Sequence, residues 1–266
     1  MNRSNKFLTT PMAVLFGSVV IAIAILISGG VIKIGSKAAQ PGVAGVTASA
    51  QPTVQPTISL NQIKDIFNKS QIKFGDTNKK LIVIEVSDPS CPYCQIAAGK
   101  NPELNKEAGA RFTLVTDGGS YVAPVPEIQK LVSEGKAAFA WLYFPGHSNG
   151  EMGTKAMYCA FEKGKFWEVH DLIMSNAGYN LLNNQIKNDK AQSGELANFL
   201  QSVIDSQVMK QCLDSGKYDS RLQTDMSLAQ GLGLSGTPGF YLNATPFAGA
   251  YSYKDMEAVV KTTLGF

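Results

Sequence analysis

Two cysteines stand three residues apart in the stretch VIEVSDPSCPYCQIAAGK, at Cys91 and Cys94. Thiols at this spacing can hold a metal ion, close a structural disulfide or trade electrons with another disulfide. Zinc needs a second ligand pair at similar spacing. The other two cysteines, Cys159 and Cys212, lie 53 residues apart with no ligating neighbour, so no metal site is expected. Haem attachment needs a histidine after the second cysteine, and Gln95 stands there. A structural bridge and a redox pair remain open at this point.

The surrounding elements favour the redox pair. KKLIVIEVS, residues 79–87, is short and β-branched, as a buried strand should be. A strand feeding a helix puts Cys91 at the helix N-terminus, where free N–H groups and the helix dipole stabilise a thiolate. Cys94, one turn on, is then the buried resolving thiol. Pro92 suits an early helical position because its missing N–H needs no partner there. Glu85 lies on the strand in an apolar run; burial would raise its pKa and let it relay the proton of Cys94. The alternative for Glu85 is an edge-strand carboxylate facing water. In GLSGTPGFYLN, Thr237-Pro238 is a candidate cis bond that frees backbone N–H and C=O groups to pair with an extended peptide. An ordinary trans turn is the alternative.

The rest of the 266-residue chain must supply a core and an address. Its net charge of +3 is weak, and no Lys/Arg run is long enough to bind nucleic acid. Met12 to Ile32 carries no charge and matches the length of a transmembrane helix, about 30 Å. A cleaved signal peptide is the rival reading. The expected organisation is a short cytoplasmic N-terminus over 1–11, a transmembrane anchor over 12–34, a flexible linker over 35–58 rich in small residues and proline, and a folded domain over 59–266. Ser59 is a plausible N-cap for a first helix. ARFTLVTD (110–117) and KAAFAWLYF (136–144) are further strand candidates. One helix, kinked at Pro102, is expected after the cysteines, and another over 127–134. Helical periodicity then runs from Asn149 to about Leu232, before a closing hairpin (239–250) and a final amphipathic helix. That order describes an α/β sheet with a helical insertion over about 146–232. GLGLSG (231–236) lacks the preceding strand of a dinucleotide site and reads as a loop. His147 and His170 have no paired ligand.

From Phe74 to Phe266 the sequence resembles the DsbA-like thiol–disulfide oxidoreductases of the thioredoxin superfamily. The resemblance is carried by VIEVSDPSCPYC, YCAFEKGKFWEVHDLIMSN, CLDSGKYDSRLQTDMSLAQGLGLSGTPGFYLN and the closing hairpin and helix. It implies a thioredoxin-like fold with a helical insertion, here preceded by one transmembrane helix. Cys91 matches the nucleophile, Cys94 the resolving cysteine, Glu85 the buried acid and Thr237-Pro238 the cis-proline loop. Pro92-Tyr93 is the redox dipeptide, where strongly oxidising relatives often carry histidine. Cys159 and Cys212 fall where some relatives carry a second, non-catalytic disulfide; two buried free thiols are the alternative.

The implied protein is a monomeric, single-pass protein of the bacterial cell membrane with an extracytoplasmic catalytic domain. It would introduce disulfides into unfolded secreted proteins, with no cofactor beyond the Cys91–Cys94 pair. A membrane redox partner of the DsbB or vitamin K epoxide reductase type would reoxidise it. An isomerase or reductase of the same fold, or a non-catalytic peptide-binding module, are the rival functions.

Overall fold

The computed structural model describes residues 58–234 and 236–266. The expected N-terminus, anchor and linker lie outside the described residues, apart from Ile58. Among the described residues, no helix is long and apolar enough to cross a membrane. The chain enters through α1 (Leu60–Lys69), whose start is fixed by a capping box between Ser59 and Gln62. Five strands follow: β1 (Ile72–Phe74), β2 (Leu81–Ser87), β3 (Ala137–Tyr143), β4 (Gly239–Leu242) and β5 (Thr245–Ala248). They form one sheet in the order β1-β3-β2-β4-β5. β2 runs parallel to β3 and antiparallel to β4. Central β2 is therefore covered on both edges and both faces, and every one of its residues is buried.

Strand alternation divides the core. Ile82, Ile84 and Val86 face a cluster with Ile63, Ile66 and Phe67 of α1. Leu81 and Val83 face the larger cluster that contains Cys91, Cys94, Trp141 and Phe240. Glu85 and Ser87 share this second face by register. The final helix, here called the C-terminal helix (Tyr253–Leu264), contributes Met256 and Val260 to it.

Between β2 and β3 the chain makes α2 (Pro92–Ala98), α3 (Pro102–Glu107) and α4 (Pro124–Ser133). The single kinked helix expected after the cysteines is two helices. Gly99 takes a left-handed conformation (φ 66°) that ends α2, and Asn101 caps α3 with its side chain on the Leu104 N–H. The strand expected over 110–117 is absent. The segment makes only an isolated bridge, Leu114 to Tyr121, and a single 3₁₀ turn at Val115–Asp117. Gly118 (φ 85°) and Gly119 double the chain back so tightly that a Cβ on Gly119 would lie 2.0 Å from the Thr113 carbonyl oxygen. α4 starts earlier than expected because Pro124 and Pro126 occupy its first turn, where N–H groups are dispensable.

Between β3 and β4 lies a helical block: α5 (Glu151–Glu162), α6 (Phe166–Ile173), α7 (Asn176–Asn180), a π turn, α8 (Ser193–Phe199), α9 (Ser206–Asp214) and α10 (Asp219–Gly231). Cys159 on α5 and Cys212 on α9 are joined by a disulfide. Buried Asp225 ties the block to the sheet: it accepts from the Tyr143 N–H at 3.2 Å and pairs with Tyr158 and Arg221. His170 is buried on α6, packed against Phe166 and Trp167.

Candidate active site

β2 ends at Ser87, and a short turn through Asp88, Pro89 and Ser90 carries the chain into α2. Cys91 is the N-cap residue of α2, with its carbonyl accepting from the Cys94 and Gln95 N–H groups at 3.1 Å each. Pro92 occupies the first helical position. Tyr93 is exposed, its ring set edge-on to Phe112 at 5.8 Å. Both cysteines are free thiols, Cys94 fully buried and Cys91 showing only 5% of its surface. Cys94 Sγ accepts from the Asp88 N–H at 3.3 Å. Cys91 Sγ stands 3.5 Å from the Thr237 carbonyl oxygen. The Thr237-Pro238 bond is cis, and its loop, just ahead of β4, lies against Cys91.

The two thiols differ sharply as acids. Cys91 is lowered from 9.0 to about 6, above all by a hydrogen bond from the Cys94 thiol. Burial opposes this, and the Thr237 side chain and the Cys94 and Tyr93 amides add smaller support. Cys94 is pushed well up by burial and then by the neighbouring Cys91. The negative charge of the pair therefore rests on Cys91. Helix amides were expected to dominate this effect; they assist, while the thiol–thiol hydrogen bond leads.

Glu85 is buried on β2, on the sheet face of the cysteine cluster by register, with no hydrogen-bond partner for either carboxylate oxygen. Burial raises it from 4.5 to about 8, offset in part by the Ser87 hydroxyl. At neutral pH it therefore stays mostly protonated. Cys91, Cys94, Glu85, Thr237, Pro238, Pro92 and Tyr93 thus come together at one end of the sheet. Cys159 and Cys212 lie apart in the helical block. Among the described residues, no group of three or more His, Cys, Asp or Glu could hold a metal ion.

Sequence reasoning passed over Asp88. Its carboxylate is fully buried and accepts four hydrogen bonds. Oδ1 takes the Ser90 N–H (2.8 Å) and hydroxyl (2.7 Å); Oδ2 takes the N–H groups of Gly146 (2.9 Å) and His147 (2.7 Å). Asp88 thereby fastens the loop after β3 to the cysteine turn. The Asp-Pro-Ser run before Cys91 is an Asx-turn pattern and carried that signal. Gly146 in the fastened loop packs against Thr237: a Cβ there would stand 1.8 Å from Thr237 Oγ1 and 3.4 Å from Cys91 Cβ. Gln95 and Asn183 brace the turn from the helical side, donating to the carbonyls of Pro89 (2.8 Å) and Ser90 (3.1 Å).

A low-pKa thiol at a helix start, a buried partner thiol and a cis-proline loop facing them make a site of the class that suits thiol–disulfide exchange. The chain belongs to the thioredoxin family, whose model matches residues 125–262. That match begins after the cysteine pair, so the pair rests on the geometry above. BdbD of Bacillus subtilis, in its oxidised form, shares the fold at a TM-score of 0.54 and 16% identity, covering 75% of this chain and 95% of that one. The alpha-DsbA1 protein of Wolbachia pipientis does so at 0.53 and 18%, covering 73% and 90%. The catalytic domain of Proteus mirabilis ScsC matches at 0.50 and 18%, covering 79% and 100%. In sequence, the Na(+)/H(+) antiporter NhaA 3 of Salinispora tropica is 23% identical over 190 residues, or 70% of this chain. The chain spans only 24% of that antiporter's length, and the same share of NhaA 1 of Salinispora arenicola.

Proposed function

We propose that this chain is a membrane-anchored, extracytoplasmic enzyme that introduces disulfides into secreted proteins through Cys91 and Cys94. The observation that carries the reading is the geometry of the pair: Cys91 at the start of α2, 3.5 Å from the Thr237 carbonyl of the cis-proline loop, with Cys94 fully buried one turn on, an arrangement that lowers Cys91 and raises Cys94. A low-pKa sulfur both attacks and leaves readily, which makes the oxidised pair reactive toward thiols. In the oxidised enzyme a substrate thiolate attacks Cys91 Sγ. The Cys91–Cys94 bond breaks and its electron pair leaves on Cys94, which takes up a proton. A second substrate thiolate then attacks the substrate sulfur of the mixed disulfide. The substrate leaves oxidised and the enzyme leaves as Cys91 thiolate and Cys94 thiol. The Thr237 backbone, whose carbonyl faces Cys91 Sγ, would pair with the substrate segment and hold it extended during the exchange.

The protein works as a monomer, and no cofactor beyond the thiol pair enters this scheme. The uncharged run Met12–Ile32 supplies the anchor and residues 35–58 the tether. A matching segment within two antiporters accords with work beside a membrane. A quinone-linked membrane protein of the DsbB or vitamin K epoxide reductase type would return the pair to the disulfide. Refolding of a reduced, unfolded test protein by the oxidised full chain tests the reading. It predicts that Cys91→Ser abolishes the acceleration; equal refolding with that variant would leave a non-catalytic peptide-binding module. The Pro92-Tyr93 dipeptide, lacking histidine, keeps an isomerase or reductase as the second reading.

A further inference from the structure

The leaving sulfur of Cys94 is fully buried, and so is the Glu85 carboxyl on the same sheet face. Any proton passed between them crosses inside the protein. Strand register shows what lies on the way. Glu85 and Ser87 occupy alternate positions of β2 and so project from the same face, the face of the cysteine cluster. The Asp88 N–H, joined directly to the Ser87 carbonyl, donates to Cys94 Sγ at 3.3 Å, which sets the sulfur over the end of the strand beside Ser87. The Ser87 hydroxyl is itself fully buried, with no hydrogen-bond partner. Burial raises both Cys94 and Glu85, and this hydroxyl opposes the rise at each of them in part. A buried hydroxyl left unpaired costs free energy. One that can rotate between two titrating groups has a use for that freedom.

We propose that Ser87 relays the proton between Glu85 and Cys94, a role that rests on the oxidoreductase reading. When substrate thiolate attacks Cys91, the sulfur–sulfur bond breaks and Cys94 is left as a thiolate. Ser87 gives its hydroxyl hydrogen to Cys94 Sγ and takes the carboxyl hydrogen of Glu85. The products are a Cys94 thiol, an intact Ser87 hydroxyl and a Glu85 carboxylate, with no net change of protons. When Cys94 attacks a mixed disulfide, the same steps run backward. The titratable groups around the hydroxyl are Glu85 on its own strand, Asp88 at the strand's end, Tyr143 at the paired position on β3, and Cys94. Asp88 already accepts four hydrogen bonds, so it is the less available partner.

The test is stopped-flow reduction of the oxidised full chain by glutathione, in water and in heavy water. Ser87→Val and Ser87→Thr have the same shape and differ by the hydroxyl. The relay predicts that Ser87→Val reacts about tenfold slower than Ser87→Thr and shows a smaller solvent isotope effect. It also predicts that Ser87→Val adds no further slowing in a Glu85→Gln background, since both changes break one path. Equal rates for Thr and Val, or effects that multiply in the double variant, would overturn the relay while leaving the redox reading intact. A wild-type chain inert to glutathione would overturn both.

Discussion

Removing the Cys94 thiol should cost Cys91 much of its acidity. The drop of Cys91 from 9.0 to about 6 corresponds to about 4 kcal/mol in favour of the thiolate, at about 1.36 kcal/mol per pH unit. The Cys94 hydrogen bond is the largest contribution, and a hydrogen bond to a charged group is worth about 1.5–3 kcal/mol. Cys94→Ala should therefore move the titration midpoint of Cys91 up by about one to two pH units. The remaining depression belongs to Thr237 and the helix amides. Thiolate absorbance in the ultraviolet reads this directly, since the variant has one free cysteine. A linked effect follows in the reduced wild type. A depressed thiol stabilises the fold fully above the ordinary thiol pKa, and the stabilisation is lost as pH falls through about 6. The variant should show a shallower loss. An unchanged midpoint in Cys94→Ala would refute the reasoning and return the charge to Thr237 and the helix N-terminus.

Glu85→Gln should stabilise the protein by about 3 kcal/mol at pH 7, because the raised carboxyl resists ionisation in the fold while the unfolded chain ionises near 4.5. The gain should vanish below that pH, where both states are protonated; urea unfolding at several pH values checks it. Gly146→Ala should lower kcat/KM for substrate thiols by about tenfold or more, as the new Cβ forces Gly146 and Thr237 apart beside Cys91. A stability loss without a kinetic change would speak against the packing argument. The Cys159→Ala/Cys212→Ala double variant should lose up to about 4 kcal/mol of stability by loop-closure entropy. Its rate of exchange at Cys91 should stay within about twofold, because the bridge lies in the helical block.

The sheet's central strands were legible because LIVIEVS and AAFAWLY are continuous buried runs, and the helical block because its apolar residues recur at helical spacing. The three-residue β1 was not, since so short a run has no period to detect. Segment 110–117 has a strand's composition, yet the two glycines after it turn the chain before a ladder can form. At the site, Cys91, Cys94, Glu85 and Thr237-Pro238 announce themselves through residue type and spacing. Asp88, Gly146 and Ser87 do not. Their parts depend on a loop 58 residues downstream of Asp88 and on strand register, and both appear only once the chain is folded.

The reduction potential of the Cys91–Cys94 pair, set by equilibrium with glutathione, tests the central claim most directly. Stabilising the Cys91 thiolate stabilises the reduced form. The potential should therefore lie clearly above that of thioredoxin, about −270 mV, and toward that of DsbA, about −120 mV. A value at or below about −270 mV would contradict a disulfide-forming enzyme and assign the chain to reduction.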